Sequence, residues 1–274
     1  MFSCFLRHNH AMQMILNLLV AFIYFMIAID FWRNSVDAKQ NWHRYAILIG
    51  LLLHALLLNN TLFANGLNLG FANALSATLW LTVLIYWLSS LKQNLRALQA
   101  FALPLAGLCV LLQMALPESH LLNYTNEPYF KAHIIIAMLA YSLFTFAALH
   151  ALLMSLAERK LHNQTSWVTL PSFPPLLPME KLLFRVISVG FVLLSLTLIS
   201  GVLFSEALFH QAMKFNHKNI FAMLSWLIYG GLLLGHFQFG WRGRKAIRWT
   251  LTGFALLLLA YAGSKFVLEI LLQR

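Results

Sequence analysis

Four histidines, His54, His133, His150 and His236, stand in stretches of this 274-residue chain that are almost free of charge. Imidazole is the commonest side-chain metal ligand and a standard axial ligand to haem iron. An ionisable group inside a membrane helix is costly enough to mark a functional candidate. The chain carries 11 histidines against 8 acidic residues. The interior therefore offers imidazole with no carboxylate partner, which weighs against a proton relay and leaves a Ser/His/Asp arrangement or a carboxylate pair without support. Helical rise converts position to depth. His54 lies ten residues past Arg44, about 15 Å in, and His150 eight residues before Glu158, about 12 Å in. His236 precedes Gly240 by four residues, about 6 Å. His133 follows Lys131 by two, at a surface. Each has a plain alternative, because a lone buried histidine can donate to a carbonyl of a neighbouring helix. His120, His210 and His217 read as solvated loop residues.

The elements that must hold these side chains are legible from charge. Residues 8–29, 45–91, 97–117, 132–157, 186–205, 219–241 and 249–264 contain no Asp, Glu, Lys or Arg. About 20 apolar residues cross a hydrocarbon core of about 30 Å. Only helices and closed barrels satisfy their backbone in lipid, and period-2 alternation is absent. The expectation is an all-α integral membrane protein with eight transmembrane helices, near 11–32, 44–62, 69–89, 99–116, 131–157, 182–205, 219–239 and 247–270. Asn59, Asn60, Asn65 and Gly66 break the longest run. Short connections make residues 1–274 a single membrane domain. The region 158–181, with Pro171, Pro174, Pro175 and Pro178, reads as an extended connector that Trp167 anchors at headgroup level.

The formal net charge of +11 invites a nucleic-acid reading, but its distribution is that of a membrane protein. The connections 33–44, 90–98, 158–185 and 240–248 hold 13 of the 19 basic residues. Basic residues accumulate on the cytoplasmic side, so both termini are expected on the periplasmic side of a bacterial inner membrane. The basic surface meets anionic lipid; nucleic acid is not implied. Cys4 and Cys109 are far apart, so neither thiol–disulfide exchange, a zinc site nor covalent haem attachment has support. The first apolar run lacks a signal-peptide cleavage site, and Met12 or Met14 is an alternative start that leaves the first span nearly intact.

Three local patterns carry a resemblance. One runs from His133 to Tyr141, a histidine followed eight residues later by tyrosine. The second spans Leu224–Gly243 and contains Trp226, Tyr229, His236 and the turn Gly240-Trp241-Arg242-Gly243-Arg244. The third is Ala260-Tyr261-Ala262-Gly263-Ser264. Over about 45–270 the chain resembles the cytochrome c assembly family, the group containing CcsA and HemX, and is most similar to its YpjD-type inner-membrane branch. That resemblance implies haem as cofactor, cytochrome c maturation as context, and His54, His133 and His236 as haem-binding positions. His54 and His236 would face an inner cavity, with His133 at its outer mouth. No metal beyond haem iron and no enzymatic step is implied; the partners are the bilayer, haem and other membrane or cytochrome-maturation proteins. His150 matches nothing in the family pattern. The chain departs from haem-delivering members at Phe215 and Phe221, where they carry tryptophan, at Asn216, where they carry aspartate, and at Lys265-Phe266-Val267, where a second outer histidine is expected. These departures suit haem binding, sensing or a partner role better than delivery to an apocytochrome. The rival reading is a transporter or ion-homeostasis factor that kept the fold without haem, with Asn59, Asn60, Asn65, Asn68 and Asn73 along a polar route.

Overall fold

A computed structural model describes residues 2–33, 42–62, 67–91, 96–116, 127–162, 176–209 and 217–263. The connector residues Trp167, Pro171, Pro174 and Pro175, the loop histidines His120 and His210, and Asn65, Phe215, Asn216 and Lys265 lie outside the described residues. Eight α-helices are formed among them: α1 (Phe2–Arg33), α2 (Trp42–Leu62), α3 (Phe71–Ser90), α4 (Arg96–Ala115), α5 (Pro128–His162), α6 (Leu176–Phe209), α7 (His217–Phe239) and α8 (Arg244–Leu258). The last runs into a π-helical turn over Leu259–Gly263. The first seven are long and apolar enough to cross a membrane. The protein is an all-helical integral membrane protein.

Helices α1, α5 and α6 outrun their charge-free stretches because nothing in the polar flanks breaks a helix. Where the connector was expected to span 158–181, α5 continues to His162 and α6 already starts at Leu176. Pro178 is the reason the expectation failed there. It falls in the first turn of α6, where the N–H it lacks has no intrahelical partner to lose.

Two compact units emerge. The first contains α1–α4, with α1 packed on α2 and α4, and α3 packed on the same two helices, closing a four-helix ring. Pro104 stands inside α4. With no N–H, it leaves the carbonyl four residues back, that of Ala100, without its helical partner. The indole N–H of Trp32 on α1 donates to that oxygen at 3.3 Å. Two further indoles tie α3 to α2, Trp80 donating to the Leu51 carbonyl and Trp87 to that of Arg44, each at 2.9 Å.

The second unit contains α5–α8. Here α6 packs on α5 and α7, and α8 packs on the same two, closing a second ring. At its centre Phe144 and Tyr229 stack with centroids 4.0 Å apart, both fully buried. Ser225 donates to the Gly253 carbonyl at 2.8 Å and Tyr229 to that of Thr250 at 3.2 Å, which fixes α7 against α8.

Candidate functional site

Three of the four histidines belong to the second unit, and all three lean on α6. His150 donates from Nε2 to the Met179 carbonyl at 2.8 Å. The ring of His236 stacks on Phe184 with centroids 3.5 Å apart and planes at 14°. His133 bonds through Nδ1 to the Ser200 hydroxyl at 2.7 Å. Phe184 and Ser200 are sixteen residues apart on one helix, so His236 and His133 occupy stations about 24 Å apart along its axis. One iron cannot take both.

The setting of His236 follows from its sequence. Gly240 and Gly243 both have positive φ, 63° and 54°, which residues with a Cβ adopt only at a cost. Gly240 ends α7 in an αL cap, its N–H donating to the His236 carbonyl at 3.1 Å, and the Trp241 N–H donates to that of Gly235 at 3.1 Å. The turn folds the Trp241 indole back over Gly235, where no side chain stands in its way. The same fold brings the Trp241 carbonyl to 2.9 Å from His236 Nδ1. A carbonyl only accepts, so Nδ1 carries the proton and Nε2 keeps the lone pair. That nitrogen has no hydrogen-bond partner among the described residues. Metal-ligating histidines are usually oriented in this way, one N–H given to an oxygen and the other nitrogen presented.

Charge holds the turn in place. Arg242 meets Glu180 at 3.5 Å and Arg244 meets Glu158 at 3.6 Å, while Lys245 lies 5.7 Å from the Trp241 ring centre. Both arginine side chains are largely exposed, 66% and 74%, so each pair contributes at most about 1 kcal/mol and serves mainly to register the turn against α5 and α6.

His133 carries the same tautomer. Ser200 donates its hydroxyl hydrogen to the Leu196 carbonyl at 2.7 Å, so its oxygen is left to accept from His133 Nδ1. His150 is the reverse case. Its Nε2 is the donor, and its buried Nδ1 has no partner.

His54, in the first unit, is held on both sides. The Tyr24 hydroxyl bonds Nδ1 at 3.2 Å and the Ser76 hydroxyl bonds Nε2 at 2.9 Å, and the residue is fully buried. His54 and His236 are thus bonded to separate neighbours, each within its own unit. Of the asparagines considered for a polar route, Asn59 and Asn60 are exposed, whereas Asn68 and Asn73 are bonded to one another. His217 is an exposed residue at the start of α7.

Sequence reasoning passed over His43. Its Nε2 lies 2.6 Å from Asp30 Oδ2, and its ring is stacked on both Phe31 and Trp42. The position of Asp30 at the end of the first span was a usable signal, since a carboxylate there calls for a partner. The tyrosines of two of the resemblance patterns meet, with Tyr141 and Tyr261 ring centres 5.6 Å apart. Among the described residues no group of three His, Cys, Asp or Glu side chains could hold a metal ion unaided.

The sequence model of the family described as Cytochrome C assembly protein matches residues 42–272. The chain belongs to that family. It is 29% identical to the inner membrane protein YpjD of Escherichia coli K12 over 244 residues, 86% of this chain and 91% of the relative. An uncharacterized 28.8 kDa protein of Azospirillum brasilense is 30% identical over 208 residues, 72% of this chain and 76% of that one. The cytochrome c biogenesis protein CcsA of Prochlorococcus marinus AS9601 is 37% identical over 89 residues, 32% of this chain and 29% of CcsA. Membership and the apolar helices make this an inner-membrane protein. Helix α1, which supplies Tyr24 and Trp32, precedes the matched residues.

Proposed function

We propose that the protein binds haem in the inner membrane as part of cytochrome c maturation, with His236 as the principal iron ligand. The observation that carries this is the fixed tautomer of His236: Nδ1 committed to the Trp241 carbonyl and Nε2 left with its lone pair. The residues present fit a haem ligand in the chemistry of that donor. Phe184, stacked on the imidazole, supplies an apolar wall, and Arg242, Arg244 and Lys245 on the adjoining turn suit the propionate groups.

When bound, haem supplies an iron centre that accepts a nitrogen lone pair. The chain's own part is to orient that lone pair, exclude water through Phe184 and hold the proton at Nδ1. His133, bonded to Ser200, stands at the other end of α6 and contacts haem only at the outer mouth, not as a ligand to the iron held by His236. His54 takes a structural part, because either of its nitrogens becomes available only by giving up Tyr24 or Ser76. All eight helices span the bilayer, with both termini on the periplasmic side, so that His236 lies toward the cytoplasmic side and His133 toward the periplasm. The protein holds haem in a binding, sensing or partner role and forms no bond in a substrate.

The experiment is an absorption spectrum of full-length protein purified from haem-supplied cells. A Soret band is expected, lost in His236→Ala. Protein that stays colourless with haem in excess refutes the reading.

A further inference from the structure

Where α2 ends and α3 begins, Thr61 of α2, Asn73 of α3 and Gln113 of α4 are bonded together, and α1 carries a buried polar side chain, Asn17. Asn17, Asn73 and Gln113 are only 4%, 7% and 7% exposed. The direction of every bond among them is fixed. Asn73 donates from Nδ2 to the Asn68 carbonyl at 3.3 Å, which turns its Oδ1 toward Gln113 to accept from Nε2 at 2.6 Å. Thr61 donates its hydroxyl hydrogen to the Leu57 carbonyl at 3.1 Å, so its oxygen accepts the other Nε2 hydrogen of Gln113 at 2.8 Å. Turning the Gln113 amide over would set its oxygen against the Asn73 oxygen. Gln113 Oε1 is therefore a buried acceptor with no donor, and so is Asn17 Oδ1.

The two oxygens share a level. Trp32 meets Ala100, and the Phe25 ring lies 3.1 Å from where a Cβ on Gly107 would stand, so α1 and α4 run antiparallel. Asn17 is eight residues beyond Phe25 and Gln113 six beyond Gly107, about 12 and 9 Å from that common contact. Asn17 also lies two turns from Tyr24, on the buried stripe whose tyrosine reaches inward to His54.

The electrostatics have one sign. Thr61 and Gln113 sit in the last turns of α2 and α4, where helix dipoles place partial negative charge, and neither turn carries a basic residue. Only α3 points a positive end here. Gln113 Oε1 is a free acceptor whose orientation its own bonds fix, which disfavours an anion. The Asn17 amide, bound to nothing among the described residues that orients it, is able to turn its oxygen the same way. None of the four residues is a carboxylate, which a divalent cation usually requires. Neutral side-chain oxygens beside helix C-termini are the setting in which membrane proteins hold monovalent cations.

We propose that Asn17, Thr61, Asn73 and Gln113 form a binding site for one monovalent cation, of the alkali or ammonium class. The site contains no histidine and does not rest on the haem reading. Its test uses full-length protein in detergent, unfolded thermally in sodium, potassium or ammonium chloride against choline chloride at equal ionic strength. A saturable rise in the midpoint is expected with one of the small cations and not with choline. Gln113→Leu should raise the half-saturating concentration at least tenfold, and Asn17→Asp, which adds a carboxylate to the site, should lower it about tenfold. Binding of radioactive sodium or rubidium to wild-type protein should approach one ion per chain, which decides the matter even if Gln113→Leu does not fold. A wild-type midpoint that follows choline, or an unchanged response in Gln113→Leu, overturns the proposal.

Discussion

Gly235→Ala is the sharpest probe of the link between the α7–α8 turn and His236. A Cβ at residue 235 would overlap Cε3 and Cδ2 of Trp241 and approach Cζ3 to 2.8 Å, against an optimum of about 3.5–4.0 Å between carbons. The indole has to move by about 1 Å or more. Overpacking of this kind costs about 1–3 kcal/mol. Moving Trp241 also strains its N–H bond to the Gly235 carbonyl and the His236 Nδ1 bond to its own carbonyl, each worth about 0.5–1.5 kcal/mol. The summed loss is about 2–6 kcal/mol of stability. For function the second bond matters more, because losing the group that orients a ligating histidine lowers metal affinity about 10–100-fold. Haem titration followed at the Soret band, beside thermal unfolding read by tryptophan fluorescence, measures both. Trp241→Ala supplies the control: with no indole to strike, adding Gly235→Ala should shift haem affinity less than about twofold, inside the scatter of independent sites and below the range of coupled neighbours. Wild-type affinity and midpoint in the Gly235→Ala protein would refute the reasoning, as would an equal penalty with and without Trp241.

Trp32→Phe should lower stability by about 1–3 kcal/mol by stranding the Ala100 carbonyl. Adding Pro104→Ala, which restores the helical N–H, should recover most of the loss, as denaturation midpoints of the four proteins in the cycle will show. Ser76→Ala should cost a similar about 1–3 kcal/mol by leaving one His54 nitrogen without its partner, while the Soret amplitude stays at the wild-type level. Disappearance of the band would instead make His54 a ligand.

The helices were legible because lipid permits little else. Seven charge-free runs marked all eight helices, the run 45–91 holding both α2 and α3, and errors fell at ends where polar flanks continued as helix. The turn after His236 was also legible, since two glycines bracketing Trp-Arg announce a reversal, and the one glycine in α7 that admits the indole stands just before the histidine. What could not be read is which oxygen each imidazole meets. The Ser200 partner of His133 is 67 residues away and the Met179 partner of His150 is 29 away, separations at which no periodicity survives. The polar cluster around Gln113 was hidden for the same reason. Asn73 was noticed, but Gln113 and Asn17 each stand alone in an apolar run, and only packing reveals that they share a layer. Pro104 was the missed clue: inside a membrane helix it always frees one carbonyl, so a donor on another helix can be sought.

The Trp32–Ala100 bond also bears on biogenesis. It joins groups 68 residues apart in the chain, one of them on a helix that precedes the family-matched segment. During synthesis α4 enters lipid with an unsealed carbonyl, a defect that persists until a neighbour's indole closes it. The closing helix is already in place, because it left the ribosome first. A chain shortened to the matched segment would insert its fourth helix with no such seal, and quality-control proteases that survey the bilayer for exposed polar backbone would have a reason to remove it.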